Sequence, residues 1–407
     1  MTREEAVAIL TEKHQMHVME GFDALTKQQQ EGLLKQVEAL DWDVIALAGQ
    51  TEPVAKGAIT PLESLTLEEI ASRYEEYHKE GLRAIQDHKI GAVLLAGGMG
   101  TRLGSDRPKG ELNVGLTKDR YIFQCLIENL MEVTKEAACF IPLYIMTSEK
   151  NDADTRAFFA DHNYFGYPAE YVKFFVQDMA AAVDYEGKLL MEDHGRLATS
   201  PNGNGGWFSS LARAGLLEDV HARGVEWLNI FAVDNVLQKI CDPTFLGATI
   251  LHGGDCGSKV VSKANPQEKV GVMCREDGKP SIVEYYELSD EMANERDAKG
   301  NLVYGSGVIL NYLFRVERLE AIMNEKMPTH VVEKKINYMT ADGRYVKPEE
   351  PNGYKFESLA VDMIRLMEHC VPFEVVREKE FAPIKNLHGV DSLDSARELL
   401  QQNGVEL

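Results

Sequence analysis

From Lys89 onward the chain alternates short β-rich apolar runs with segments whose apolar residues recur at helical spacing. That alternation is the pattern of βαβ units, and it restricts the fold to an α/β domain with a mostly parallel sheet. KIGAVLLAGG reads as a buried strand ending in glycines, IPLYIMT, VKFFVQ and VEWLNIFAVD as further strands. YIFQCLIENLMEVTKEA, NDADTRAFFADHN and GGWFSSLARAGLLEDVHARG read as the intervening helices. After Asp255 the texture turns antiparallel. KVGVMCRE and KPSIVEYYEL flank Asp277-Gly278, a hairpin turn pair, and HVVEKKINYM and RYVKPEE flank Asp342-Gly343. YGSGVILNYLF and PFEVVREKEF are expected as strands, and KFESLAVDMIRLMEHC as a helix.

Residues 1–88 are helical and acidic in pattern, as in EEAVAILTEKH, QEGLLKQVEAL and LTLEEIASRYEEYHKEGLRAI. Thr66 precedes Glu69 by three residues, the spacing of a capping box opening the last of these helices. AGQTEPVAKGAITP between them reads as a loop. Three parts follow: an N-terminal helical segment over 1–88, a catalytic domain over 89–386, and a capped C-terminal helix over 387–407.

Lys and Arg number 43 against 65 Asp and Glu, a formal charge of −22. Such a surface repels nucleic acid and anionic membranes, so neither is an expected partner. A polyphosphate ligand must then be met by a few focused cations and by backbone N–H groups. No apolar run approaches the ~20 residues that span a bilayer, and the first residues lack the apolar core of a secretory signal. The six cysteines are scattered without a CxxC pair, which suits reduced core thiols and a cytoplasmic protein. No HxxxH, HExxH or GxSxG spacing occurs, so neither a histidine metal site nor a serine nucleophile is indicated.

The chemistry concentrates in AGGMGTRLGSDRPKG, Ala96 to Gly110, directly after the first strand. Gly97, Gly98, Gly100 and Gly104 permit positive φ and converging N–H groups, and Arg102 and Lys109 supply fixed charge. A Walker A loop needs Gly-Lys-Ser/Thr, whereas Lys109 lies between Pro108 and Gly110. A dinucleotide fingerprint opens a helix directly, whereas a long loop follows here. Next come SPNGNGGWFSSL, a glycine-rich lead into a helix, and FAVDN, which puts Asp234 at the C-terminal end of a buried strand. Asp234 there is a natural ligand for Mg²⁺, which takes one or two carboxylates plus substrate phosphates. Lys385 in FAPIKN, Gln177 in FFVQD and Glu284 in SIVEYYE carry little signal alone.

Taken together, these stretches resemble the eukaryotic-type UDP-sugar pyrophosphorylases, and most closely their UDP-N-acetylglucosamine (N-acetylhexosamine) branch. The likeness runs from LAGGMGTRLGSDRPKGELNVG through SPNGNGGWFSSLARAGLLEDVHARGVEWLNIFAVDN and GGDCGSKVVSKANPQEKVGVMCREDGKPSIVEYYELS to HVVEKKINY, KPEEPNGYKFE and EFAPIKN, in order over about Gly91 to Asn386. The resemblance implies a Rossmann-like, GT-A-like nucleotidyltransferase fold, a mixed sheet flanked by helices. It also implies the reaction UTP + sugar 1-phosphate ⇌ UDP-sugar + pyrophosphate, with Mg²⁺ as cofactor.

Carried over by position, it makes Gly97 and Gly98 neighbours of the uridine diphosphate and gives the uracil to Gln177, Gly203 and Asn204. Arg102, Lys109 and Lys385 hold phosphates, Asp234 holds the metal, and Gly271 and Glu284 touch the sugar. The chain departs from the acetylhexosamine pattern at three places. Gly307-Val308-Ile309 stands where that branch has Gly-Asn-Ile, and Leu359 and Val361 stand at two aromatic positions near the acetyl group. All three fall in the implied sugar pocket. The expected substrate is therefore N-acetylglucosamine 1-phosphate, with a UDP-glucose or UDP-galactose pyrophosphorylase as the alternative. A nucleotide-sugar sensor without turnover is the reading from a different class.

Overall fold

Ile90–Leu95 (β1) is buried along its whole length, as a strand covered on both sheet faces must be. It pairs in parallel with Leu143–Thr147 (β2) on one side and Trp227–Ala232 (β4) on the other. Val172–Val176 (β3) extends the parallel part beyond β2. The chain thus runs outward from β1 through β2 and β3, then returns to add β4 on the opposite side of β1. This reversal makes the gap beyond the C-terminal ends of β1 and β4 a topological switch point, where open α/β sheets bind ligands.

The computed structural model describes residues 1–50, 57–325, 327–340 and 342–407. Thr51–Lys56 of the expected loop lie outside the described residues. Among the described residues the sheet has ten strands. Cys256–Ser262 (β5), Val272–Glu276 (β6) and Lys279–Val283 (β7) come next along the chain, then Ser306–Arg315 (β8) and Cys370–Glu374 (β9). Strand β8 runs antiparallel to β4, β5 and β6, and β9 returns parallel to β5. The sheet is therefore mixed, as expected, and β6 and β7 form the hairpin around Asp277 and Gly278.

The chain forms two compact units, neither of them continuous in sequence. The larger comprises Lys56–Gln177, Trp207–Lys326 and Ala360–Leu407 and contains the sheet. The smaller comprises Met1–Ala55, Asp178–Gly206 and Met327–Leu359. These units cut the chain differently from the sequence boundaries at 88 and 386. Residues Leu67–Ser72 and Tyr74–Gln86 (α1) belong with the sheet, where Tyr77, Ala84 and Ile85 join its core. The capping box at Thr66 and Glu69 is present. The single helix expected there breaks at Arg73, whose φ of −119° leaves the helical region.

The core of the larger unit is built by β1, β2, β4, Ile122–Ala137 (α2), α1 and Pro243–Leu251 (α3). Helices α1 and α3 approach so closely that a Cβ on Gly81 would lie 1.8 Å from the Pro243 carbonyl oxygen. A Cβ on Gly247 would lie 1.8 Å from that of Tyr77. The smaller unit packs the helices Arg3–Glu12 and Lys27–Glu38 with the strands Val183–Asp184 and Gly353–Glu357 around Leu10, Leu33, Val37, Tyr354 and Phe356.

One expected helix is absent. In KFESLAVDMIRLMEHC, Lys355–Glu357 belong to a strand paired with His330–Lys334, and Ala360–Leu366 form a 3-10 helix. Tyr354 and Phe356 are buried while Lys355 and Glu357 are half-buried, so a period of two prevails over helical propensity. In PFEVVREKEF the strand ends at Glu374, and Arg377–Glu380 turns helical. All six cysteines are free, five of them buried. Among the described residues no helix is long and apolar enough to cross a membrane.

Candidate functional site

The loop after β1 folds back on itself beyond the strand end. Gly100 N–H donates to the Arg107 carbonyl (2.9 Å) and Lys109 N–H to the Gly98 carbonyl (3.1 Å). The fully buried Asn151, just past β2, clamps it from beneath: its Nδ2 donates to the carbonyls of Ala96 (2.9 Å) and Gly98 (3.3 Å). Of the four glycines that permit positive φ, only Gly104 adopts it, at +72°. Gly97 is glycine for a different reason. A Cβ there would sit 2.3 Å from Gln177 Nε2. Gln177, buried at the end of β3, is thus pressed against the loop backbone. Gly98 is exposed with open space where a Cβ would be.

The return of the chain to β4 brings Asp234 to the same edge. Lys109 Nζ lies 3.6 Å from Asp234 Oδ2, with the two side chains 17% and 25% exposed. Burial pushes Lys109 below the ordinary lysine value; Asp234 opposes that push, while Lys385 and Arg102 add to it. Lys109 therefore feels the charges of Lys385 and Arg102 as well as that of Asp234. Arg107 is not part of this group: it pairs with Glu111 (2.8 Å) and Asp154 (2.9 Å).

Lys385 reaches the site because its loop is tied to β4. Ile384 N–H donates to the Asp234 carbonyl (2.9 Å), and Asn235 and Pro383 form an antiparallel bridge. Lys385 Nζ donates to Asp391 Oδ2 (2.9 Å), and the Lys385 and Asn386 N–H groups donate to the Asp391 carbonyl. Asp391 has φ +52°, a conformation that Asp tolerates better than most residues.

Gly271 and Glu284 also come together, and with Val308. A Cβ on Gly271 would lie 3.4 Å from both Glu284 Oε1 and Val308 Cγ2, and the Val308 N–H donates to the Gly271 carbonyl (2.9 Å). The apolar substitution thus sits against Gly271, which Glu284 also approaches. Gly203 and Asn204 belong to the smaller unit. There Gly203 has φ +84°, and a Cβ on it would lie 2.1 Å from the Ser358 carbonyl oxygen, to which Gly205 N–H donates at 2.9 Å. Their loop therefore lies along Ser358 and Leu359, another of the departures. Val361 is in the larger unit.

Asn151, Asn235 and Asp391 carry no functional signal in the sequence alone. Each is one polar residue in a loop, and only the backbone it grips reveals its task. Among the described residues no cluster of three or more His, Cys, Asp or Glu could hold a metal. Asp234 alone suits a cation that takes its remaining ligands from phosphates and water, as Mg²⁺ does.

A family model described as UTP–glucose-1-phosphate uridylyltransferase matches residues 19–404. A Xenopus tropicalis protein, UDP-N-acetylhexosamine pyrophosphorylase-like protein 1, is 41% identical over 326 residues, 78% of this chain and 64% of its own length. The Saccharomyces cerevisiae UDP-N-acetylglucosamine pyrophosphorylase is 39% identical over 81% of this chain and 72% of its own. This chain thus spans about two thirds of the length of these relatives. The crystal structure of the uridine diphosphate N-acetylglucosamine pyrophosphorylase from Trypanosoma brucei superposes with a TM-score of 0.82. It is 27% identical, over 99% of this chain and 85% of that one.

Proposed function

The chain belongs to the UTP–glucose-1-phosphate uridylyltransferase family, and from that premise we propose that it makes a UDP-sugar and pyrophosphate from UTP and a sugar 1-phosphate. The observation that carries this reading is Lys109 held 3.6 Å from Asp234 at the switch point, within the electrostatic reach of Lys385 and Arg102, with Gln177 against the Gly97 backbone.

A phosphate oxygen of the sugar 1-phosphate forms a bond to the α-phosphorus of UTP, and the bond from that phosphorus to the β-phosphate oxygen breaks. The nucleophile is already an anion, so no side chain has to remove a proton. The barrier is the meeting of two polyanions, and catalysis is positioning plus charge neutralisation. Lys109 and Arg102 would stabilise the departing pyrophosphate, and Lys385 the sugar phosphate. Gln177 would read the uracil, with Gly98 as a close approach for the diphosphate. Asp234 would hold Mg²⁺ arriving with the triphosphate, and that ion supplies charge neutralisation on phosphate oxygens.

The lowered Lys109 pKa has a consequence. In the free site its ammonium is lost at a lower pH than an exposed lysine's, so UTP affinity falls as pH rises through that depressed value. Lys109→Arg stays charged throughout and should hold UTP to higher pH. Titration calorimetry across the alkaline range checks this, and identical basic limbs in the two proteins would remove Lys109 from the triphosphate site.

The names of the relatives favour N-acetylglucosamine 1-phosphate as the sugar substrate. Val308 beside Gly271 and Glu284 is the one observation that favours a plain hexose 1-phosphate. Pyrophosphate release is to be measured with UTP, Mg²⁺ and the 1-phosphates of N-acetylglucosamine, N-acetylgalactosamine, glucose and galactose. An acetylated sugar should win. Val308→Asn should then raise its kcat/KM relative to glucose 1-phosphate by about fivefold, the worth of one net hydrogen bond of ~1 kcal/mol. Preference of the unmodified protein for plain hexoses would establish the second reading. UTP binding without release from any sugar phosphate would leave a sensor.

A further inference from the structure

Lys259 is completely buried in β5, yet it belongs to none of the groups placed around UTP and the sugar phosphate. Its Nζ donates to Glu380 Oε2 (2.5 Å), Asp242 Oδ2 (3.0 Å) and the Lys239 carbonyl (3.2 Å). Burial disfavours its charge, but Asp242 and Glu380 outweigh that and hold its pKa above the ordinary lysine value. Glu380 is thereby fixed, side chain and backbone. Its carbonyl accepts from Asn235 Nδ2 (2.7 Å), and Asn235 Oδ1 accepts from the Ala382 N–H (2.9 Å). Asn235, only 1% exposed, follows Asp234 directly. Two residues beyond Ala382, Ile384 N–H donates to the Asp234 carbonyl (2.9 Å) and precedes Lys385.

Hydrogen bonds joined by short stretches of chain therefore lead from the ion group in the core to the two strand-end loops that carry Asp234 and Lys385. Asn235 is the joint, because its single amide grips the Lys385 loop at two points. A buried ion group is seldom a net gain in stability, since desolvation offsets the attraction. Its use here is geometric. We propose that Asn235, anchored through Glu380 to Lys259, is a positioning residue that sets the separation of Asp234 and Lys385 for uridylyl transfer. This inference rests on the uridylyl-transfer reading.

The test is steady-state pyrophosphate release by the full chain carrying Asn235→Ala. It is compared with Glu380→Ala, which cuts the anchor to Lys259 but leaves the backbone carbonyl that Asn235 grips. Asn235→Ala should lower kcat by about 30-fold, within the ~100-fold that a 1 Å misplacement of reacting groups costs, while KM for UTP stays within about threefold, because Lys109, Arg102 and Gln177 are not gripped by Asn235. Glu380→Ala should move kcat in the same direction by less, which keeps the idea testable if Asn235→Ala does not fold. A merely structural role would lower the melting temperature and leave kcat per folded molecule unchanged. That outcome, or an equal loss in kcat and in UTP affinity, overturns the inference while the transfer reading stands. An unmodified protein that releases no pyrophosphate overturns both.

Discussion

Lys109→Ala is expected to lower kcat for pyrophosphate release by about 100-fold or more, the scale on which one preorganised donor to developing charge is lost. In uridylyl transfer the departing pyrophosphate gains charge as its bond to the α-phosphorus breaks. Lys109 would meet that charge from a prepared position, because its backbone is bonded to Gly98 and its ammonium lies against Asp234. Burial already makes this ammonium costly to keep charged. An arriving phosphate therefore strengthens its charge, and water competes little for it. The substitution should leave the fold intact, since Asp234 is a quarter exposed and stays solvated without its partner. Rapid-quench turnover at saturating UTP and sugar phosphate reads the effect. Near-normal turnover in a protein that melts normally would move the leaving-group role elsewhere.

Gly81→Ala should cost on the order of 3 kcal/mol of stability, the upper end for overpacking a well-filled interior. The added methyl would lie 1.8 Å from the Pro243 carbonyl oxygen, and a backbone atom cannot swing aside as a side chain can. Helices α1 and α3 would have to separate, opening contacts around Tyr77, Ala84, Phe245 and Leu246. Gly247→Ala meets the Tyr77 carbonyl oxygen from the other helix and should behave alike. Gly32 is the control: it lies in the helix Lys27–Glu38 with nothing within 4 Å of a Cβ. Gly32→Ala should stabilise by about 0.5–1 kcal/mol, because glycine loses more backbone entropy in a helix. Thermal and urea melts of the three variants decide the matter. Equal melting of Gly81→Ala and the unmodified protein would mean that the helix pair is not tightly held.

Much of this was legible beforehand because periodicity and turn chemistry act locally. KIGAVLLAGG could be nothing but a covered strand, and Thr66 with Glu69 opened a helix wherever the rest of the chain went. The loop from Ala96 to Gly110 stood out through its glycines and its two cations, Arg102 and Lys109. Errors arose where local preference met tertiary context. Lys355–Glu357 carries helix formers, but pairing with His330–Lys334 buried Phe356 and imposed a strand. The sequence offers Gly97 as a permissive backbone position, and the structure adds that it makes room for Gln177, eighty residues later.

By itself, then, the sequence determined the fold class, the family and the glycine-rich loop with its two cations that the proposed reaction would use. The fold class and the loop follow from forces acting over a few neighbouring residues. Only the tertiary structure decided that Asp234 lies 3.6 Å from Lys109, that Val308 is hydrogen-bonded to Gly271, and that Asn235 ties the Lys385 loop to a buried lysine in β5. Each of these joins segments far apart in the chain. What sets such distances is the register of a mixed sheet and the packing behind it, and neither is written in any one stretch of residues.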